Sequence, residues 1–258
     1  MSEVAPFPAE RTAVVTGAAS PRGIGRATAA RLAAEGWSVA VVDLDEEACN
    51  DTAAELAVGT GAATVGVAAD VSDPAAVDAA IAEVERALPP VVGLANIAGV
   101  SSPTDFMDVT VAEWDRVLDI NLKGTFHVTQ AVLPGMVERR LGRIVSVSSV
   151  SAQVGGGTYS KAPYSAAKAG IVGLTRAVAR EMGPFGVTVN AVSPGPVDTD
   201  IMGGTLTDER KEAMSADVLM GRVGTREEVA ALLAFLLSEE AGWITAATYD
   251  INGGLQIS

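Results

Sequence analysis

Tyr164 and Lys168 stand four residues apart in a run with helical spacing. Residues with this spacing lie on one helix face, one turn from each other. A lysine charge beside a phenol favours the phenolate, whose reference pKa is about 10, and so brings the tyrosine towards acid–base chemistry. Ser149 ends a strand-like run shortly before, and its hydroxyl could hold the oxygen of an alcohol or carbonyl. The tyrosine–lysine pair alone is a common surface pattern, so the rest of the chain must decide between these interpretations.

A glycine-rich turn joins a strand to a helix near the start of the chain. The strand-like run Ala13–Thr16 is followed by Gly17, Gly23 and Gly25, and then by helix-forming residues. Glycine permits a tight turn and close approach to a pyrophosphate, and a helix N-terminus offers free N–H groups. The next strand-like run ends at Asp43, whose carboxylate can accept hydrogen bonds from a ribose 2′-hydroxyl. This order of elements predicts a dinucleotide site.

Strand-like and helical runs alternate along the chain. The predicted strands are Ala13–Thr16, Val39–Asp43, Thr64–Ala68, Val91–Asn96, Arg143–Ser148, Val187–Val192 and Thr248–Ile251. The predicted helices are Ile24–Glu35, Glu46–Leu56, Ala75–Leu88, Val111–Arg139, Tyr164–Met182 and Glu227–Leu237. This alternation predicts an α/β fold, a single Rossmann-type doubly wound parallel sheet of about seven strands with helices on both faces. Ligands of such sheets bind beyond the carboxyl ends of the strands, where Gly17, Asp43, Asp70, Asn96 and Ser149 fall.

The composition excludes several classes of partner. The 258 residues include 18 basic and 32 acidic side chains, a net charge of −14. Nucleic acids and anionic membranes require a basic footprint, so neither is expected as a partner, and an acidic carrier protein or coenzyme A thioester is mildly disfavoured as substrate. The single cysteine, Cys49, excludes an intrachain disulfide. Without a membrane-spanning run or a signal peptide, we expect a cytoplasmic protein. We expect no metal site.

The motifs, taken in order from Thr12 to Gly254, resemble those of the short-chain dehydrogenase/reductase family. The matching residues are the glycine-rich turn, Asp70-Val71, Asn96 with Gly99, Asn121, Ser149, Tyr164 with Lys168, and Pro194-Gly195. The resemblance implies hydride transfer between a nicotinamide dinucleotide and a CH–OH group of a small-molecule substrate. We expect an N-terminal tail at residues 1–10, one catalytic domain at 11–258, and a flap over the substrate at about 199–216.

The resemblance also implies a role for each residue of the reacting centre. Tyr164 exchanges a proton with the substrate oxygen, and Ser149 orients that oxygen. Lys168 favours the phenolate and holds the nicotinamide ribose. Asn121 holds a water that links Lys168 to solvent in a proton relay.

The cofactor contacts implied by the resemblance extend along the strand ends. Asp70 and Val71 are expected beside the adenine, and Asn96 and Gly99 on the adenosine side. The segment after the sixth strand is expected to meet the nicotinamide carboxamide. The predicted cofactor-binding residues are Gly17, Arg22, Gly23, Ile24, Gly25, Asp43, Asp70, Val71, Asn96, Gly99, Tyr164, Lys168, Pro194, Gly195, Val197 and Thr199.

Asp43 predicts the choice of cofactor. Its carboxylate would accept from a free ribose hydroxyl but repel a 2′-phosphate, and the next residue, Leu44, stands where phosphate-binding members of the family often carry arginine. We therefore expect NAD rather than NADP. The objection to NAD is Arg22, a cation inside the glycine-rich turn. This turn is longer than is usual in the family, and the extra Pro-Arg pair directs the Arg22 side chain either to solvent or to the pyrophosphate.

The substrate is the least specified part. The glycine-rich segment between Ser149 and Tyr164 is longer than is usual in the family, and Ser151, Gln153 and Tyr159 are its expected substrate contacts. They favour a small polar secondary alcohol or ketone, such as a polyol, sugar or hydroxy acid. The alternatives are a 3-oxoacyl-thioester reductase that uses NADPH, and a non-catalytic dinucleotide-binding regulator. Family members commonly form tetramers, so a homotetramer is expected.

Overall fold

Between residues 6 and 257, the range that this computed structural model describes, seven runs rich in Val, Ile and Ala form one parallel sheet. The strands are β1 (Thr12–Thr16), β2 (Ser38–Asp43), β3 (Thr64–Ala68), β4 (Val91–Asn96), β5 (Gly142–Val147), β6 (Val187–Pro194) and β7 (Thr248–Ile251). Their order is β3-β2-β1-β4-β5-β6-β7, which reverses direction between β1 and β4. The predicted doubly wound sheet is therefore confirmed, and its switch point lies beside the glycine-rich turn.

Helices cover both faces of the sheet. They are α1 (Ile24–Ala34), α2 (Glu46–Thr60), α3 (Pro74–Ala87), α4 (Val111–Leu118), α5 (Gly124–Arg139), α6 (Ser151–Val154), α7 (Ala162–Met182), α8 (Asp208–Ser215) and α9 (Arg226–Leu237). Successive strand side chains point to opposite faces. Val15 thus joins the buried cluster that contains Leu32 and Leu233, whereas Val14 joins the one that contains Ile81 and Met136.

One predicted helix is divided in the structure. The run Val111–Arg139 was expected to be continuous, but a π-helical turn at Asp119–Lys123 separates α4 from α5. Single π-helical turns inside helices are often functional, and this one carries the buried Asn121. The short helix α6 and the polar helix α8 were not predicted, because four residues or a charged sequence give no apolar periodicity.

Phe7, near the start of the described range, packs against the buried core. Of the predicted tail at 1–10, residues 1–5 lie outside the described range, whereas Phe7 packs edge-on against Trp37 with ring centres 5.8 Å apart. The domain boundaries stay a prediction. Within residues 6–257, no helix combines the length and apolar character needed to cross a bilayer.

Candidate active site

The glycine-rich turn brings β1 and α1 into close backbone contact. Gly17 has φ +67°, a left-handed conformation that glycine adopts without strain. A Cβ on Gly25 would lie 2.1 Å from the Gly17 carbonyl oxygen, so only glycine fits at this position. Gly17, Gly23 and Ile24 line the cleft that opens above the turn, whereas Gly25 packs behind it.

Asp43 is held at the end of β2 by two backbone donors. Its Oδ2 accepts a hydrogen bond from Ala19 N at 3.0 Å, and its Oδ1 accepts one from Leu44 N at 2.8 Å. The carboxylate is therefore fixed in the cleft wall beside the glycine-rich turn. The Leu44 side chain is 69% exposed and brings no charge to this end of the cleft.

Arg22 does not line the cleft with its neighbours. Its guanidinium pairs with two carboxylates, at 2.5 Å from Nη2 to Asp198 Oδ1 and 3.0 Å from Nε to Asp200 Oδ1. The sequence left solvent and pyrophosphate as its possible directions; in the structure the side chain is 36% exposed and its guanidinium contacts these two carboxylates. Its partners could not be inferred locally, because they lie 176 and 178 positions away along the chain.

Asn96 braces the sheet beneath the cleft. It is buried, and its Nδ2 donates to Thr129 Oγ1 at 3.0 Å and to Ser146 Oγ at 3.2 Å. Asn96 is not part of the cleft lining, and its Oδ1 is buried without a hydrogen-bond partner among the described residues, so its contact with the cofactor stays a prediction. The neighbouring Thr16 hydroxyl, which the sequence did not single out, accepts from the backbone N–H groups of Ile97 and Ala98 and so fixes this loop.

Asp70, Val71 and Gly99 also line the cleft. Asp70 Oδ1 accepts from both the backbone N–H and the hydroxyl of Ser72, which closes a tight turn after β3. Val71 is buried, and its carbonyl oxygen lies 3.0 Å from His127 Nδ1. The lone histidine thus supports the wall from behind.

Ser149, Tyr164 and Lys168 meet where β5 ends and α7 begins, and all three line the cleft. Ser148 Oγ donates to the Lys168 carbonyl at 2.8 Å and ties the helix to the strand. Ser149 Oγ accepts from Ser151 N at 3.1 Å, which leaves the Ser149 O–H free to donate. The fold therefore assembles the three predicted reacting side chains from two elements.

Burial controls the protonation of this cluster. It raises the pKa of the Tyr164 phenol to about 12, and the neighbouring Ser149 hydroxyl opposes that rise. It lowers the pKa of Lys168 to about 8. The expected lowering of the Tyr164 pKa by Lys168 is outweighed here, because Lys168 Nζ donates to the Val147 carbonyl at 2.8 Å and lies 5.5 Å from the tyrosine ring centre.

Asn121 points towards the same centre from the π-helical turn. Its Nδ2 donates to the carbonyls of Val100 and Val117 at 3.0 and 2.8 Å, which orients the amide. Its Oδ1 is buried without a hydrogen-bond partner among the described residues. A Cβ on Gly99 would lie 2.5 Å from that oxygen and 3.5 Å from Lys168 Nζ, so both polar groups approach one point. An unpaired buried acceptor beside a lysine suits a bridging water.

The segment after β6 forms the wall beside the reacting centre. Pro194, Gly195, Val197 and Thr199 all line the cleft, and the last two are buried. A Cβ on Gly195 would lie 2.8 Å from the Asn252 Cα, so a side chain is excluded where β6 passes the β7 loop.

The substrate end differs from the expectation. Ser151 and Tyr159 line the cleft, but Gln153 turns to the surface and donates to Asp250 Oδ1 at 2.8 Å. Sequence reasoning missed the apolar side chains there, because they come from α6, the flap and the C-terminal segment. These are Val150, Val154, Ile201, Met202, Met214 and Leu255.

One continuous cleft of about 670 Å³ joins these parts. It runs from Asp43 past the glycine-rich turn to Tyr164 and the flap. The backbone cradle at Gly17 and Gly25, beside the N-terminus of α1, fits the pyrophosphate of an extended dinucleotide.

Known proteins resemble this chain over nearly its whole length. A family model described as enoyl-(acyl carrier protein) reductase matches residues 17–256. An uncharacterized short-chain type dehydrogenase/reductase of Sinorhizobium fredii is 39% identical over 251 residues, which cover 96% of this chain and 98% of that protein. The 3-oxoacyl-(acyl-carrier-protein) reductase FabG of Staphylococcus aureus is 39% identical over 245 residues, which cover 95% and 98%. FabG of Escherichia coli is 37% identical over 245 residues, which cover 95% and 97%. Identity at this level across whole chains, together with the family model that matches residues 17–256, means that the protein belongs to the short-chain dehydrogenase/reductase family of oxidoreductases.

Proposed function

We propose that the protein transfers hydride between NAD(H) and a secondary alcohol or its ketone. The observation that carries this proposal is one cleft with two kinds of chemistry at its ends. Asp43 and the glycine-rich turn offer a dinucleotide site at one end, and Ser149, Tyr164 and Lys168 offer proton-transfer groups at the other. A non-catalytic regulator would have no use for the second set.

In the proposed mechanism Tyr164 handles the proton. Bound in the cleft, the dinucleotide supplies or accepts the hydride at its nicotinamide. During reduction the Tyr164 O–H gives its proton to the carbonyl oxygen, in keeping with a pKa that burial raises to about 12. During oxidation the Tyr164 proton passes first to Lys168, whose pKa is lowered to about 8, and the phenolate then takes the proton of the alcohol. The Ser149 O–H donates to the same substrate oxygen, since Ser151 N already occupies one of its acceptor positions.

Lys168 and Asn121 complete the proposed path of the proton. Burial lowers the pKa of Lys168 to about 8, so the ammonium can release and regain a proton near neutral pH. The unpaired Asn121 Oδ1 accepts from a water beside Lys168 Nζ. This water would carry the proton away from the buried centre.

The choice of NAD over NADP rests on the end of β2. The Asp43 carboxylate is oriented by Ala19 N and Leu44 N, and a 2′-phosphate beside it would be repelled. Arg22, the cation closest to it in the turn, is already paired with Asp198 and Asp200. We therefore propose NAD as the physiological cofactor.

The proposed substrate is a hydroxy acid or a similarly small hydroxylated compound with an apolar portion. Ser151 lines the cleft, and the Tyr159 hydroxyl, which accepts from Arg210 Nε at 3.2 Å, keeps its O–H to donate. Val154, Met202 and Met214 offer apolar contact. Because Gln153 is drawn to the surface by Asp250, a polyol would find fewer partners than the sequence suggested. A site that hydrogen-bonds one substrate group discriminates strongly against analogues that lack it.

A 3-oxoacyl-thioester reductase is the second candidate. The names of the FabG relatives and the apolar lining near the flap favour it. The net charge of −14 argues against docking an acidic carrier. Steady-state assays with NAD(H) and NADP(H) on hydroxy acids, polyols and an acetoacetyl thioester decide between them. We expect the highest kcat/KM on a hydroxy acid with NAD, and a higher value on the thioester would favour the reductase.

A further inference from the structure

Arg22, one of the two extra residues of the glycine-rich turn, contacts the segment after β6 that forms one wall of the cleft. Arg22 Nη2 lies 2.5 Å from Asp198 Oδ1, and Arg22 Nε lies 3.0 Å from Asp200 Oδ1. Lys211, from the flap helix α8, approaches Asp198 Oδ2 at 2.7 Å. One arginine thus joins the turn that cradles the pyrophosphate to the segment that leads into the flap.

Asp198, one of the two contacted carboxylates, lies between two residues that face the cleft. Val197 and Thr199 are 7% and 5% exposed and line the cleft. Asp198 lies between them and points away from the cleft, towards Arg22. The Asp198 pair therefore holds this segment from its outer side, whereas Asp200 lines the cleft and its pair with Arg22 holds the segment at the edge of the cleft.

Further hydrogen bonds hold the two backbone segments that Arg22 joins. Pro21 O accepts from Arg226 Nη1 at 2.7 Å, which fixes the inserted pair from the α9 side. Asp198 N donates to Gly224 O at 3.1 Å. The Lys211 hydrogen bond, followed by the charges of Lys211 and Arg22, lowers the pKa of Asp198, so the carboxylate stays ionised at neutral pH.

We infer that Arg22 is a positioning residue that clamps residues 197–200 and thereby holds Val197 and Thr199 against the nicotinamide end of the cofactor. The inference rests on the proposed function for the assignment of Val197 and Thr199 as nicotinamide contacts. It gives the lengthened turn a purpose other than phosphate binding, because the Arg22 guanidinium is occupied by carboxylates and lies outside the cleft lining.

Binding of NAD and of ADP-ribose distinguishes a clamp on residues 197–200 from a direct contact of Arg22 with the pyrophosphate. ADP-ribose has the adenosine and pyrophosphate but no nicotinamide, so only the loss of a pyrophosphate contact would weaken its binding. Arg22→Ala should weaken NAD binding about fivefold, a loss in keeping with partly exposed ion pairs, and leave ADP-ribose binding unchanged. Arg22→Lys, which keeps one pair, should restore part of the NAD affinity. The matched control is Arg31→Ala, which removes an exposed ion pair with Glu35 on α1 and should change neither.

A double-mutant cycle tests whether the loss of NAD affinity arises from the ion pair between Arg22 and Asp200. Asp200→Asn should weaken NAD binding in the same direction, and Arg22→Ala with Asp200→Asn should be no worse than the stronger single variant. Additive losses would mean that the two side chains act separately, which contradicts the clamp.

Hydrogen exchange gives a readout that needs no ligand. In Arg22→Ala the amide of Asp198 should exchange faster than in wild type and in Arg31→Ala, because its segment has lost the outer contact. Unchanged exchange, or equal weakening of NAD and ADP-ribose, would overturn the inference. A wild-type protein that binds no dinucleotide would instead refute the proposed function, and the exchange result would still decide on the clamp.

Discussion

Tyr164 and Lys168 share one face of α7, yet burial moves their pKa values in opposite directions, to about 12 and about 8. Both shifts favour the uncharged side chain, since each charge would be separated from water. The residue types and their spacing were readable from the sequence. The dominance of burial was not, because it depends on how α7 packs against the end of β5.

The Lys168 pKa predicts a pH dependence of stability. The folded value of about 8 lies below the ordinary 10.5, so the unfolded chain binds more protons between these limits and stability rises with pH there. Between pH 7 and 9.5, wild type should gain about 2 kcal/mol in unfolding free energy relative to Lys168→Met. Urea titrations of both proteins across this range measure it. Parallel pH profiles would show that the ammonium is not disfavoured by burial.

Asp43 carries the prediction of cofactor preference. Wild type should have the higher kcat/KM with NAD, because the oriented carboxylate repels a 2′-phosphate. Exchanging Asp43 for Ser together with Leu44→Arg should shift the NAD-to-NADP ratio by at least about tenfold towards NADP. Asp43→Ala alone serves as the comparison for lost repulsion without a new cation. A wild-type preference for NADP would reverse the assignment.

At the level of elements, local patterns were sufficient for most of the fold. The strands Thr64–Ala68, Val91–Asn96 and Thr248–Ile251 were predicted with the bounds that they have, because short β-branched runs end at turn residues. The π-helical turn at Asp119–Lys123 was missed. Its Asn121 amide bonds to Val100, outside the helix, and no helical periodicity encodes such a tertiary contact.

The glycine-rich turn allows a steric test of the dinucleotide site. Gly25→Ala should displace the turn, because its Cβ would meet Gly17 O at 2.1 Å, and we expect NAD affinity to fall by about a hundredfold or more. Gly173→Ala in α7 is the matched control, since a Cβ there meets nothing within 4 Å. The control should bind normally and unfold at a slightly higher temperature. Equal affinity of the Gly25 variant and the control would refute the cradle.

Several large apolar side chains near the C-terminal part of the chain are exposed to solvent. Trp243 is 98% exposed, Ile257 77% and Leu219 74%. Exposed apolar surface of this kind marks an interaction surface where it is contiguous, and the tetramer prediction below tests the part around Trp243. The apolar character of this segment can be read from the sequence. Its exposure depends on how α9 packs on the sheet and on the place of β7 at the sheet edge.

The expected homotetramer gives a prediction at this scale. Light scattering of wild type should give four times the chain mass, and Trp243→Glu should lower the mass because a charge would be buried in the contact. Val58→Glu is the matched control, since Val58 is 90% exposed on α2 and lies outside the C-terminal segment. A monomeric wild type, or a Trp243 variant of unchanged mass, would contradict this assembly.

Proton transfer by Tyr164 is the central claim, and turnover by Tyr164→Phe tests it most directly. The variant keeps the ring in its buried site but has no transferable proton. NAD affinity, measured by fluorescence, should stay within about twofold of wild type, while kcat with the best alcohol of the substrate panel should fall by about 10²–10⁴. A purified, folded variant that retains most of the wild-type kcat would contradict the account.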